Sequence, residues 1–107
     1  MTNVLVVVVT CPTKALARRI AHALVKQRLA ACVNIVSGPV QSVYRWEGKT
    51  EQAREVLLII KTVRSQWKAL LNHIQRLHSY QVPEILAVPV SDGLPAYLRW
   101  VRESCRS

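Results

Sequence analysis

The segment Leu77–Ile85, with the sequence LHSYQVPEI, decides how this chain is organised. A helical pattern of apolar residues ends where the segment begins, and an apolar strand pattern starts where it ends. A loop between two rigid elements is a favourable place for a binding site, and Pro83 restricts the backbone of this one. The segment carries three chemically useful side chains: His78, Tyr80 and Glu84.

The elements on either side of this junction predict the order β-α-β-β-α-β with a short C-terminal helix. The strand patterns cover residues 4–9, 30–44, 55–62 and 85–90, and the helical patterns cover 16–24, 67–77 and 95–102. The interruption Ser37-Gly38-Pro39 indicates a bulge or bend, and Trp46 to Lys49 indicates a turn. This order predicts one α+β domain over residues 1–107, a ferredoxin-like sandwich with both main helices on one face of four antiparallel strands.

The second and third predicted strands contain more apolar residues than a single helix-covered face of the sheet can hold. The other face of the sheet therefore needs a second layer, and another subunit is its simplest source. We expect a homo-oligomer on this count alone. The residues concerned are Val40, Val43, Val56, Leu57, Leu58 and Ile59.

The net charge of +9 indicates a surface that attracts anions. The fifteen Lys and Arg residues are dispersed along the chain, which is typical of a solvated surface and does not predict specific nucleic-acid binding. The apolar run Val4–Val9 is too short to span a membrane and lacks the basic start of a signal peptide. We therefore expect a cytoplasmic protein with no membrane partner.

The three cysteines Cys11, Cys32 and Cys105 are odd in number and form no C-x-x-C motif. They predict neither a disulfide framework nor a zinc ribbon. The predicted strand directions place Cys32 at one end of the sheet. They gather a different set at the other end: Cys11, Tyr44, Trp46, His78, Tyr80 and Glu84.

Three segments together resemble the divalent-cation tolerance family called CutA: Arg28–Ile35 (RLAACVNI), Ser42–Gly48 (SVYRWEG) and His78–Ile85 (HSYQVPEI). The resemblance runs from about residue 4 to about residue 103. It implies a trimer similar in architecture to the PII signalling proteins and a role in tolerance of copper and other divalent ions. No catalytic reaction comes with it. Ser79 stands where the family usually has proline, and residues 51–55 carry fewer acids than is typical.

His78 and Cys11 are the first candidates for metal ligands, because imidazole and thiolate suit copper and zinc. Glu84, water or a neighbouring subunit would complete the shell, so we expect weak binding that folding does not require. The competing interpretation makes His78 a surface histidine near a helix C-terminus. Tyr44, Tyr80, Glu84 and Lys61 are candidates for lining an intersubunit cleft.

Trp46 and Trp100 are predicted to fill subunit interfaces, where large amphipathic aromatics are favoured. The resemblance to the CutA family implies a trimeric, non-enzymatic protein that binds copper or another divalent ion. The alternative is a PII-like sensor or scaffold that takes a small polar ligand.

An RNA-binding module shares the element order, but the expected central strands carry no aromatic platform. An acylphosphatase-type enzyme shares it too. Its phosphate loop is only faintly echoed by Gly38–Arg45, which has Ser42 where glycine is needed and follows the first helix instead of preceding it.

Overall fold

Residues 2–106 fold as four strands, three α-helices and one 3-10 turn, with the strands and α-helices in the predicted order. A computed structural model describes residues 2–106. The elements are β1 (Val4–Cys11), α1 (Lys14–Lys26), β2 (Cys32–Trp46), β3 (Lys49–Val63), a 3-10 turn (Arg64–Gln66), α2 (Trp67–Leu77), β4 (Ile85–Pro89) and α3 (Pro95–Ser104). None of the helices within residues 2–106 is both long and apolar enough to cross a bilayer.

The strands form one sheet in the order β2-β3-β1-β4, and every neighbouring pair is antiparallel. The predicted α+β class and four-stranded antiparallel sheet are thereby confirmed. Residues with opposite partners on neighbouring strands share a face, so Val7, Ile60 and Val33 lie on one side of the sheet. Val8, Ile59 and Leu86 lie on the other side.

The main core lies between the sheet and the two long helices. Ile20 and Leu24 of α1 and Leu70 and Ile74 of α2 are fully buried in one cluster with alternate residues of β1 and β3. Each helix presents apolar residues three or four positions apart, which places them in one stripe. Thr13 caps the first turn of α1 by accepting a hydrogen bond from the Leu16 amide.

The face of the sheet opposite the helices carries exposed apolar side chains. Leu86 is 58% exposed and Val88 is 51% exposed, both on β4, and Val36 on β2 is 40% exposed. Val8 and Ile59 of the central strands continue this surface. We call this side the open face of the sheet. Of the residues in the sequence count, Leu57 and Ile59 lie on this face, whereas Val56 and Leu58 are buried on the helix side.

Strands β2 and β3 extend well beyond the rest of the sheet as a two-stranded hairpin. The pairing shifts register between Val36 and Val40, at the predicted bulge, and then continues to Trp46 opposite Lys49. Glu47 and Gly48 have φ angles of 51° and 79°, which is the geometry of a tight type I′ turn. Strand β3 begins six residues before the predicted start at Glu55. The sequence pattern did not indicate these residues as strand, because the outer hairpin is exposed and lacks the apolar pattern of a buried strand.

Helix α3 closes the end of the sheet away from the hairpin. Val101 and Cys105 are buried against Val4 and Val63 in a second apolar cluster. The Arg28 side chain donates hydrogen bonds to the carbonyl oxygens of residues 103, 104 and 105, at the C-terminus of this helix. A guanidinium is favoured there by the helix dipole. Arg28 itself has a φ of 58°, which is in the left-handed region, and its side-chain hydrogen bonds hold the residue in that conformation.

Candidate functional site

A cavity of about 470 Å³ lies where the hairpin leaves the sheet, beside the loop that joins α2 to β4. Tyr44 and Trp46 line it from β2, and Tyr80 and Glu84 line it from the loop. The structure thus brings together four of the predicted site residues in one chain. Glu55 of β3 completes the inner wall, although the sequence did not single it out.

The Tyr80 phenol donates a 2.6 Å hydrogen bond to a carboxylate oxygen of Glu55. Glu55 is only 7% exposed, so this bond supports a carboxylate that is largely out of water. Burial raises the pKa of the Tyr80 phenol well above its ordinary value, and the hydrogen bond and charge of Glu55 add to the shift. Tyr80 therefore stays protonated and keeps its proton directed at Glu55.

His78 holds the loop in place with both of its ring nitrogens. Nδ1 accepts a 3.1 Å hydrogen bond from the Tyr80 amide, and Nε2 lies 2.8 Å from the carbonyl oxygen of Thr10. The neutral tautomer with its proton on Nε2 satisfies both contacts. The ring of His78 also stacks at a tilt on Tyr80, with centroids 4.8 Å apart. His78 is 9% exposed, so the competing interpretation of a surface histidine is wrong. The predicted role of metal ligand is disfavoured as well, because both ring nitrogens already have hydrogen-bond partners.

Cys11 lies in the helix-side core and does not line the cavity. It is fully buried among residues of α1, α2 and β3. Burial raises the pKa of its thiol to about 11, and the nearby charge of Glu55 contributes to the shift. A metal needs the thiolate, which this environment disfavours. The structure therefore does not bring the predicted pair of His78 and Cys11 together as a ligand set.

Two other predicted site residues lie away from the cavity. Lys61 pairs with Cys32 near the opposite end of the sheet, and its ammonium donates a hydrogen bond to the side chain of Asn34. Trp100 lies on α3 beside Tyr97, with ring centroids 5.6 Å apart, and is 44% exposed. Within one chain, neither contributes to the cavity that Tyr80 and Glu84 line. Cys32 lies at the end predicted for it.

Glu55 is the main residue that the sequence analysis missed. It stands directly before the apolar run Val56–Ile60, where an acidic residue at the start of a buried strand was the available signal. Its importance depends on the long hairpin, because that extension places it at the base of a cavity. Thr10, from the end of β1, is the second missed residue and forms part of the same wall.

The cavity offers carboxylate and hydroxyl oxygens together with three aromatic side chains. Within residues 2–106, no cluster of three or more His, Cys, Asp or Glu side chains is arranged to hold a metal ion. The carboxylates of Glu55 and Glu84 are thus at most part of a coordination shell. This arrangement is suited to a cation that retains water or takes further ligands from elsewhere.

Comparison with known proteins identifies the family. Residues 5–104 match the family described as CutA1 divalent ion tolerance protein. The chain belongs to this family. The resemblance expected from the sequence segments is thereby confirmed, and members of the CutA1 family are named for tolerance and not for a catalysed reaction.

Individual CutA relatives support the assignment at both sequence and structural level. The divalent-cation tolerance protein CutA of Thermus thermophilus is 48% identical over 99 residues, which is 92% of this chain and 95% of that protein. The chloroplastic CutA of Arabidopsis thaliana is 45% identical over 96% of this chain but only 56% of its own length. The chain thus spans about half of that plant relative. The crystal structure of CutA from Xylella fastidiosa superposes with a TM-score of 0.94 at 41% identity, covering 98% of this chain and all of that one.

Proposed function

We propose that this protein is a non-enzymatic divalent-cation tolerance protein that binds its ion weakly at the hairpin cavity. The observation that carries the proposal is the placement of two carboxylates, Glu55 and Glu84, in one cavity of a chain whose net charge is +9. Two acidic groups facing one cavity of so basic a chain favour a cation there. Membership of the divalent ion tolerance family gives the class of cation.

The donor set predicts low affinity and limited selectivity. Its oxygen donors are the two carboxylates, with the phenol oxygens of Tyr44 and Tyr80 nearby. First-row divalent ions generally bind a given site most tightly as copper(II), so copper is the ion we propose. The shell is incomplete within one chain, and water or a neighbouring subunit supplies the remaining ligands. Folding does not depend on the ion, because the buried core is formed by apolar residues.

We further propose that the protein works as a homotrimer of ferredoxin-like subunits. The strand order β2-β3-β1-β4 supports the ferredoxin-like subunit in this proposal. Leu86 and Val88 of the edge strand β4 are exposed on the open face, where a second layer would cover them. The hairpin of β2 and β3 extends beyond its own sheet, which makes it available to a neighbour. A cytoplasmic location remains our prediction from the sequence.

The test of the cation site is a calorimetric titration of metal-free protein with copper(II) and zinc(II). Glu55→Gln and Glu84→Gln each remove one carboxylate while keeping the size of the side chain. We expect each to weaken copper binding about tenfold or more, since a charged ligand is lost. Glu103→Gln is the matched control, because it removes one carboxylate from α3 and should leave the affinity unchanged.

Electron paramagnetic resonance of the copper-loaded protein identifies the donor atoms. We expect a spectrum of oxygen coordination, because both nitrogens of His78 are engaged in hydrogen bonds. A nitrogen hyperfine pattern that disappears in His78→Asn would instead return His78 to the ligand set. Copper binding that is equally strong in the parent and in Glu55→Gln would contradict the proposed site.

A small polar ligand is the second candidate for the same cavity. The supporting observation is its size, about 470 Å³, together with the aromatic side chains of Tyr44 and Trp46. Aromatic faces bind organic cations as well as fill space. If neither copper nor zinc binds, the function of a small-molecule sensor or scaffold is favoured over metal handling.

A further inference from the structure

A second cavity lies at the end of the molecule away from the hairpin and has the opposite chemistry. Its volume is about 430 Å³. Arg64, Arg102 and Arg106 all line it, and among the described residues of the lining there is no carboxylate. Asn3 and Ser65 add polar side chains to the wall. We call this the arginine cavity.

The walls of the arginine cavity come from distant parts of the chain that backbone hydrogen bonds tie together. The amide of Arg64 donates to the carbonyl oxygen of Asn3 at 2.8 Å, which joins the 3-10 turn to the start of β1. The amide of Arg106 donates to the carbonyl oxygen of Arg28 at 2.9 Å. The side-chain amide of Gln66 donates to the Arg106 carbonyl oxygen at 3.2 Å. The backbone that carries Arg64 and Arg106 is thus held in place.

The third arginine is carried by a helix with an equally firm attachment. Val101 and Cys105 flank Arg102 in sequence and are buried, at 0% and 3% exposure. The side chain of Arg28 holds the C-terminal carbonyls of the same helix. Because the backbone is already fixed, ligand binding would have to order only the arginine side chains.

The charge of the cavity decides what it binds. Three guanidinium groups around one concavity repel one another, and no acidic group of the lining offsets that repulsion. Guanidinium groups present planar, paired donors that match the oxygens of phosphate and carboxylate groups. The net charge of +9 adds a long-range attraction for anions.

We propose that the arginine cavity is a binding site for a small multivalent oxyanion of the phosphate type, such as pyrophosphate or the phosphate groups of a small metabolite. The concave shape and limited volume favour a compact ligand over an extended polyanion, which would need a continuous basic track. The site is independent of the proposed cation site, because the two cavities share no lining residue.

The experiment is a calorimetric titration of the whole protein with pyrophosphate at low ionic strength. We expect saturable binding at one pyrophosphate per chain. Arg64→Gln and Arg102→Gln should each weaken it about tenfold or more. Arg19→Gln is the matched control, because it removes the same charge from an exposed position on α1 and should change the affinity less than twofold.

Three outcomes would overturn the proposal. The first is an absence of saturable pyrophosphate binding at low salt. The second is an equal loss of affinity in Arg19→Gln, which would show general attraction by the net charge. The third is tight binding of an oligonucleotide that pyrophosphate does not displace, which would indicate a polyanion surface instead. Copper titration of Arg102→Gln should match the parent, so failure here remains distinct from failure of the cation site.

Discussion

At the scale of single residues, the contact between Tyr80 and Glu55 is the most informative interaction in the hairpin cavity. Tyr80→Phe removes the donor and leaves the buried Glu55 carboxylate without it. We expect the free energy of unfolding to fall by about 1.5–3 kcal/mol at neutral pH, the usual contribution of a hydrogen bond to a charged group. Urea unfolding at fixed protein concentration measures it.

The effect should also depend on pH in a defined direction. The phenol of Tyr80 has a raised pKa when folded, while in the unfolded chain it ionises near pH 10. Its stabilising contribution is therefore complete below about pH 10 and is lost as the pH rises towards the folded pKa. The difference in stability between the parent and Tyr80→Phe should shrink at pH 11. Tyr44→Phe is the control, because Tyr44 is 44% exposed and takes no part in this hydrogen bond, and it should leave the stability at neutral pH nearly unchanged. A constant difference at both pH values would contradict this account.

Residue by residue, the sequence predicted which side chains share an end of the sheet better than it predicted their contacts. Strand direction alone placed Tyr44, Tyr80 and Glu84 together, because antiparallel order fixes which ends meet. It did not reveal that His78 uses both ring nitrogens for hydrogen bonds, since those partners are backbone atoms far along the chain. Nor did it reveal that alternation along β1 turns Cys11 towards the helices.

At the scale of elements, the outer hairpin shows what periodicity detects and what it misses. The turn at Glu47-Gly48 was predicted from residue type. The six residues before Glu55 were not recognised as strand, because neither face of the outer hairpin is buried in one chain. An apolar pattern reports burial and so fails where pairing continues into solvent. For the same reason, the sequence did not predict the cavity that the outer hairpin helps to form.

The turn residue Glu47 offers a prediction at this scale. Its φ of 51° lies in the left-handed region, which asparagine adopts more readily than glutamate. We expect Glu47→Asn to raise the free energy of unfolding by about 0.5–1 kcal/mol, measured by urea unfolding. Glu51→Asn is the control, because it removes the same charge from a strand position of the hairpin. An equal gain in both variants would mean that charge, not backbone conformation, is responsible.

At the scale of the whole molecule, positive charge is less evenly distributed in the fold than it is along the sequence. The arginines are dispersed along the chain, yet the fold gathers Arg64, Arg102 and Arg106 around one cavity. The same fold places Glu55 and Glu84 around another. Such convergence depends on which segments of the chain meet in the folded structure. The spacing of residues along the sequence does not reveal which segments meet. The molecule therefore has one cavity lined by two carboxylates and another lined by three guanidinium groups.

The open face of the sheet carries the last prediction, which concerns assembly. Leu86 and Val88 project from β4 with more than half of their surface exposed, and covering the exposed part of each would contribute about 1 kcal/mol. We expect the parent protein to scatter light with a mass about three times the 12.1 kDa of one chain.

Leu86→Glu places a charge in the proposed contact, where its desolvation would be costly, and should release single chains at micromolar concentration. Val25→Glu is the matched control, because Val25 is 43% exposed on α1, away from this face, and the mass should stay unchanged. A parent protein with the mass of one chain would contradict the trimer. Equal dissociation of both variants would place the contact elsewhere than on the open face.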